Sequence, residues 1–458
     1  MKSLRDSCTG LVPVHFYRNL CGVAAGLVLA AAPISHAQAA APARGKAVAA
    51  KPAPAPRISV ADFYRDRQGA PLWLSKSSGD AAQQLFLMLS NARLDGLDPQ
   101  NYRVTAVEEA LSKAWGGDKQ AVLRADQLLS EAFVAYVRDL RRDPGGIIYV
   151  DAELKPAAPS PFTLLAQAAT APSLPDFIRD MKWMNPTYAQ LRQALMRHAY
   201  ASDHERQLLM VNLERARALP ADKRRYVVVN IAAQRLTMYE NGAPVDSMRV
   251  VIGKTKYPTP VMSGLIRYAV MNPYWNSPAD LTAERIAPSV LREGMKFLDR
   301  KGYQVLSDWT DSAVVVDPAT VDWKAVAEGR TEIRVRQLPG AENAMGQIKF
   351  MFPNNQGIWL HDTPEKELLN EAARLYSGGC VRLEDAPRFG QWLFGRRLEP
   401  EGEGAEQPVA LAAPVPVYIT YLTAMPEGST IAYFKDVYGH DKAKLAGVSS
   451  SGTLAAAR

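Results

Sequence analysis

The chain has 458 residues, 47% of them hydrophobic and 22% charged, with a formal charge of +7. That is enough chain and apolar content for two or three domains with real cores, and it excludes a mainly disordered chain, a collagen-like repeat and a disulfide-stapled miniprotein. The excess of basic charge is mild and shows no basic cluster interleaved with aromatics, which argues against nucleic acid and is compatible with an anionic envelope polymer.

Lys2, Arg5 and Arg18 precede an apolar run from Leu20 to Ala32, and Pro33 and the small residues up to Ala39 follow. A basic start, a short apolar core and an A-x-A-like end describe a secretory signal peptide over residues 1–39, so export is expected. Cleavage there would remove Cys8 and Cys21 and leave Cys380 as the one cysteine of the exported chain, with a net charge of about +5. A lone thiol in an oxidising compartment has no internal partner; it is either incidental and buried or kept for its reactivity. Residues 40–57 are almost all Ala, Pro, Lys and Arg and read as an extended tether.

Residues 58–219 read as a mostly helical domain. Leu85, Met88, Leu89 and Ala92 share one helix face. Thr105 with Glu108 has the capping-box pattern, which predicts a helix start at Thr105. Leu129, Phe133, Tyr136, Val137 and Leu140 form a long apolar stripe that stops at Asp143-Pro144-Gly145-Gly146. Tyr188, Leu191 and Leu195, then Leu209 and Leu213, continue the helical period.

After Pro220 the period becomes strand-like, and residues 220–440 read as a β-rich domain. Tyr226–Ile231 is β-branched, and Asn241-Gly242 between 235–240 and 245–252 is a strong hairpin signal. Further strands are expected at 265–271, 348–352, 358–361, 417–422 and 431–434. Residues 281–345 interrupt the pattern with helical and mixed sequence, which predicts an inserted lid. Residues 441–458 read as a disordered tail. The fold class expected is therefore α+β, a helical scaffold domain followed by a β-rich domain with an inserted lid subdomain.

The chemistry concentrates in residues 357–383. Gly357–His361 is a short apolar strand that ends on a histidine. Thr363-Pro364 predicts a helix start, with the helix running to about Arg374. Then comes Ser377-Gly378-Gly379-Cys380-Val381-Arg382-Leu383. A thiol attacks a carbonyl as its thiolate, and a nearby imidazole can take its proton to give a thiolate–imidazolium pair. The glycines allow a sharp turn and close approach of a substrate, which makes the amides of Gly379 and Cys380 oxyanion-hole candidates. Arg382 can pair with a substrate carboxylate, or bridge to Glu384 or Asp385. The cysteine and the histidine each also have an ordinary structural reading. His198, His204 and His440 lack metal-ligand spacing, and no metal is expected.

His361 followed by Ser377-x-Gly379-Cys380-Val381-Arg382-Leu383 resembles the catalytic signature of L,D-transpeptidases of the YkuD type. Thr259–Ser263, Asn272-Pro273-Tyr274-Trp275-Asn276-Ser277-Pro278, Asn212-Leu213-Glu214-Arg215, His361-Asp362-Thr363-Pro364 and Pro416–Tyr421 resemble the large Gram-negative, YcbB-like branch. The match runs from about residue 80 to 440. The resemblance implies a periplasmic enzyme that joins two meso-diaminopimelate residues of peptidoglycan in a 3→3 link. Cys380 would be the nucleophile and His361 the general base and acid. Gly379 would supply the oxyanion-hole amide, and Ser377 would lie at the turn whose backbone orients the histidine. Arg382, Trp275, Asn276 and Tyr274 would bind substrate. The partners implied are a tetrapeptide donor stem, an acceptor stem, a carbapenem as covalent inhibitor and candidate cell-wall synthases, with no cofactor. Two features depart from the branch. Gly378 stands where histidine or serine is usual, and Tyr188–His198 runs almost directly into Glu205, leaving no room for a small peptidoglycan-binding domain. The same chemistry with water as acceptor would give an L,D-carboxypeptidase or a cysteine peptidase of wall peptides. A non-catalytic wall-binding scaffold is the remaining reading.

Overall fold

The helices of the first domain begin where a short polar side chain can close the open N–H groups of the first turn. Asp118 accepts from Ala121 N–H ahead of Lys119–Leu140, Asn185 accepts from Tyr188 N–H ahead of Pro186–Met196, and Ser202 accepts from Glu205 N–H ahead of Asp203–Ala216. The capping box expected at Thr105 is not the start of its helix. That helix is Val104–Ala114, its cap is Arg103 in a left-handed conformation, and Thr105 lies within the first turn. The computed structural model describes residues 58–221 and 224–445. The signal peptide and tether read from the sequence lie outside these residues. No helix among the described residues is long and apolar enough to cross a membrane.

The apolar stripes read from the sequence meet in one core. Leu85, Leu89, Leu129, Phe133, Tyr136, Val137, Tyr188, Leu191 and Leu209 are all buried in it. Three carboxylates, Asp95, Asp126 and Asp139, are buried in the same domain. Asp95 accepts from Tyr136 Oη and Tyr188 Oη, both at 2.7 Å, and from Arg192 Nε at 2.9 Å. A buried charge is tolerable only when so fully partnered, and it ties three helical segments together.

The second domain is a closed sheet. Its strands are β1 (Ile148–Tyr149), β2 (Tyr226–Asn230), β3 (Arg235–Glu240), β4 (Ala243–Gly253) and β5 (Met262–Met271). After an inserted subdomain come β10 (Ile348–Met351), β11 (Leu360–His361), β12 (Leu375–Ser377), β13 (Val381–Leu383) and β14 (Gln407–Thr420). Neighbours run β1-β5-β10-β11-β13-β4-β3-β2-β14, and β14 also pairs β5, so the sheet closes into a barrel with β12 beside β4. Asn241 and Gly242 both take positive φ at the β3–β4 turn, as the Asn-Gly signal requires. The barrel interior is filled by Val227, Val229, Val250, Ile252, Ile266, Phe350, Leu360, Val381 and Phe389. Val228 and Tyr226 face the other way, onto Leu154, Leu219 and Leu422. β2 is therefore buried on both faces, which explains its unbroken apolar run.

The inserted subdomain forms its own sheet from β6 (Trp275–Ser277), β7 (Tyr303–Leu306), β8 (Val315–Val316) and β9 (Arg334–Gln337), in the order β6-β9-β7-β8. Ile286, Val290, Leu298, Trp323 and Val335 are its core. Because β6 belongs to this sheet, the insertion starts at Trp275 rather than at 281. A hairpin of β15 (Ala424–Glu427) and β16 (Thr430–Tyr433) follows the barrel, and Ala424 enters the helical core. The chain then continues in helical conformation over 440–445, with Asp441 buried and paired to Arg215, so the first residues expected in a disordered tail are ordered.

Candidate active site

β11 and β13 lie side by side and parallel, with Leu360 opposite Val381 and His361 opposite Arg382. Leu360 and Val381 point into the barrel core. Strand alternation sends His361 and Arg382 to the other face. Cys380 precedes Val381, so it comes to the same side. Val381 N–H donates to Trp359 O at 2.9 Å and fixes the register of the cysteine against the histidine strand. The chain between the two strands does not form the helix expected from Thr363 to Arg374. Only a short 3-10 turn, Lys366–Asn370, is present. Its continuation is pulled out straight because Arg374 N–H donates to Gln234 Oε1 at 2.6 Å and Ile252 N–H to Arg374 O at 2.9 Å. Tertiary contacts override helix propensity here.

His361, Cys380 and Arg382 line one cleft of about 520 Å³ between the barrel and the inserted subdomain, with Trp275, Asn276, Leu281, Arg285, Trp359 and Gly378 among its other walls. His361 Nδ1 lies 2.5 Å from Asp362 O. A carbonyl can only accept, so the neutral ring carries its proton on Nδ1 and its lone pair on Nε2. Burial is the main reason that His361 is held near pH 3, with the positive Arg382 beside it as the second cause; the carbonyls of Asp362 and Met345 offset part of this. Cys380 is half-buried and opens on the cleft. The walls around its thiol push it up to about 11, against the opposing effects of Trp359 N–H and Arg382. Both groups are thus neutral at neutral pH, rather than the thiolate–imidazolium pair expected from their types. The physical reason is shared: burial penalises both charges.

The turn before the cysteine is tied internally. Ser377 Oγ donates to Cys380 O at 2.6 Å and accepts from Gly379 N–H at 3.1 Å. This corrects the role expected of Gly379, since its amide is engaged by Ser377 instead of facing a substrate oxygen. The amide of Cys380 makes no hydrogen bond among the described residues and remains the oxyanion-hole candidate. Gly379 has φ +116°, a conformation that favours glycine. Its carbonyl accepts from Thr259 Oγ1 at 2.7 Å, and Thr259 Oγ1 accepts from Gly253 N–H at 2.9 Å. A Cβ at Gly253 would stand 2.0 Å from Tyr257 O, so only glycine fits that crossing.

Residues 224–409 match the model of the L,D-transpeptidase catalytic domain, YkuD, and residues 58–195 match that of the Scaffold domain. Residues 224–409 are an L,D-transpeptidase catalytic domain of the YkuD family. A Haemophilus influenzae protein provisionally designated an L,D-transpeptidase is 29% identical over 395 residues, covering 84% of this chain and 78% of that protein. Among solved structures, an L,D-transpeptidase from Mycobacterium smegmatis is 13% identical at TM-score 0.22, covering 43% of this chain and 58% of its own. L,D-transpeptidase 3 from Mycobacterium tuberculosis, in complex with a faropenem-derived adduct, is 15% identical at TM-score 0.22, covering 43% and 60%. The chain spans less than two thirds of the length of these two solved chains.

Within this L,D-transpeptidase domain the structure gathers most, but not all, of the residues singled out from sequence. Trp275 and Asn276 line the cleft; Tyr274 does not. The Tyr274 amide donates to Glu406 at 2.6 Å and its ring lies under the Arg336 guanidinium at 4.5 Å, so it braces the junction between β5 and the subdomain. Arg382 pairs with Glu365, whereas Glu384 is taken by Arg249 and Asp385 by Arg388. The neighbours in sequence were therefore the wrong partners. Thr259, quoted as a motif residue without a role, bridges the catalytic turn. Tyr438 Oη, which donates to Gly253 O at 2.6 Å, was missed, because nothing local in the sequence connects residue 438 to residue 253. Among the described residues no group of three or more His, Cys, Asp and Glu side chains is arranged to hold a metal.

Proposed function

We propose that the chain is a periplasmic peptidoglycan L,D-transpeptidase that forms 3→3 links through a thioester on Cys380. The observation that carries this reading is the single cleft into which parallel β11 and β13 deliver His361 and Cys380. The neutral resting state is compatible with the following order of events. As Cys380 Sγ attacks the carbonyl at the L-centre of diaminopimelate in a tetrapeptide, its proton passes to His361 Nε2. The oxygen that gains charge is received by Cys380 N–H. The C–N bond to the terminal D-alanine then breaks, and the leaving amine takes the proton from His361. The side-chain amine of a second stem attacks the thioester and gives a proton to His361. Sγ leaves and takes that proton back, which restores both neutral groups.

The test is mass spectrometry of the purified chain with a carbapenem, followed by incubation with a disaccharide-tetrapeptide. One adduct mass on the native sequence, absent from Cys380→Ala, and a cross-linked dimer are expected. Tripeptide without dimer would move the reading to the hydrolase, and neither adduct nor product would end it. His361→Ala should slow adduct formation by about 10²–10⁴-fold.

A further inference from the structure

One wall of the cleft is made by a π-helical turn, Thr282–Ile286, between Ala279–Leu281 and the helix Ala287–Glu293. Such turns insert an extra residue, re-aim the side chains after them and concentrate at functional sites. Here Leu281, Arg285, Ile286 and Ser289 all reach the cleft. Leu281 closes against Gly378, so the turn touches the loop that carries Cys380.

The charges of the cleft then sort by partner. Lys301 is neutralised by Glu342 and Arg382 by Glu365. Glu284, beside Arg285 in sequence, is held by Lys256 and by Tyr257 Oη at 2.7 Å. Arg285 makes no hydrogen bond or ion pair among the described residues. Lys254 makes no ion pair among them either, and its amide donates to Ser377 O at 3.0 Å, at the base of the catalytic turn. Burial and then the nearby charge of Arg285 lower its pKa, the Glu284 carboxylate opposes this, and Arg382 adds a smaller lowering. Arg285 is therefore the one arginine or lysine lining the cleft, among the described residues, that no side chain pairs; Glu284 acts on it only at longer range, and a bound anion would pair it directly.

We infer that Arg285 receives the free terminal carboxylate of the donor peptide. This rests on the transpeptidase reading, in which the scissile carbonyl is one residue from that terminus. A residue spans roughly 3.5 Å, so a peptide with its carbonyl at Cys380 keeps its terminal carboxylate inside the same cleft, where Arg285 is the unpaired cation of the lining. The planar guanidinium then fixes which end of the peptide enters, and peptides with a blocked terminus are refused.

The experiment is calorimetry on the full chain carrying Cys380→Ala, with the disaccharide-tetrapeptide as free acid and as C-terminal carboxamide. The free acid should bind about tenfold more tightly than the amide, Arg285→Met should reduce that preference to about twofold or less, and Arg285→Lys should restore part of it. Equal binding of acid and amide, or a preference that survives Arg285→Met, overturns the inference. Cross-linking by the native sequence, assayed in parallel, separates the two levels. A dimer formed without any acid preference refutes the carboxylate site alone; no dimer, no carbapenem adduct and no binding refutes both.

Discussion

A Cβ built on Gly378 would stand 2.9 Å from Leu281 Cδ1. The residue two before the nucleophile and the first turn of the inserted subdomain thus share one volume. Leu281 is buried, so it cannot swing into solvent without opening the wall that carries Arg285. Gly378→Ser should cost about 1 kcal/mol, met by a turn of the leucine tip, and Gly378→His about 2–3 kcal/mol with displacement of the wall. Leu281→Ala should recover much of the histidine variant, because contacting residues do not add. Carbapenem acylation rates across the four proteins measure this. A histidine variant that acylates faster than the native sequence, with Leu281 intact, would contradict the packing argument.

The two neutral groups of the cleft set a pH window for stability. His361 in the fold stays neutral down to about pH 3, below its ordinary 6.5. As pH falls through 6.5 the unfolded chain takes up that proton first, so stability is full above 6.5 and drains away toward 3. Cys380 runs the other way, from an ordinary 9.0 to about 11 in the fold. The unfolded chain loses its proton first, so stability is full below 9.0 and is lost as pH rises toward 11. Each slope approaches about 1.4 kcal/mol per pH unit. Melting temperature against pH should show a plateau between these limits, with the alkaline side flattened in Cys380→Ala and the acid side in His361→Gln. Acylation should show no break near pH 6.5, since the base is already free there.

Ser377 and Thr259 hold the catalytic turn from two sides, and each occupies both a donor and an acceptor. Removing either hydroxyl strands two buried backbone groups, at about 1–3 kcal/mol. Ser377→Ala and Thr259→Val should therefore lower both the melting temperature and the acylation rate, while Ser377→Thr and Thr259→Ser keep most of each. Loss of stability with an unchanged acylation rate would mean that the turn keeps its shape without them.

The parts legible from sequence are those with local causes. Asn241-Gly242 specifies its own turn, the apolar stripe from Leu129 to Leu140 specifies its own face, and the Cys380 motif carries its chemistry in seven residues. What escaped depends on contacts that the sequence does not index. The run after Thr363 has good helix formers but is drawn out by Gln234, far upstream. Arg382 has acidic neighbours at 384 and 385 yet pairs with Glu365, because β13 lies beside the strand that leads to it. Gly379 was expected to offer its amide outward, and only the position of the Ser377 hydroxyl decides otherwise.

The scaffold and the barrel are joined by a reciprocal pair. Thr423 N–H donates to Asn212 Oδ1 at 2.8 Å, and Asn212 Nδ2 donates to Thr423 Oγ1 at 2.9 Å and to Leu208 O at 2.8 Å. Both residues are fully buried, one on the last scaffold helix and one just after the barrel strand β14. Asn212→Ala leaves the Thr423 amide without an acceptor where water cannot replace it, a loss of about 1–3 kcal/mol, and Thr423→Val removes the hydroxyl while keeping its volume. The double variant should lose less than the sum of the two, because the first change already breaks the pair. The described residues, 58–221 and 224–445, fall in one compact unit, so the native chain should melt in a single transition that Asn212→Ala lowers by a few degrees. Two resolved transitions in the native chain, or strict additivity in the double variant, would show that the scaffold and the catalytic domain stand independently.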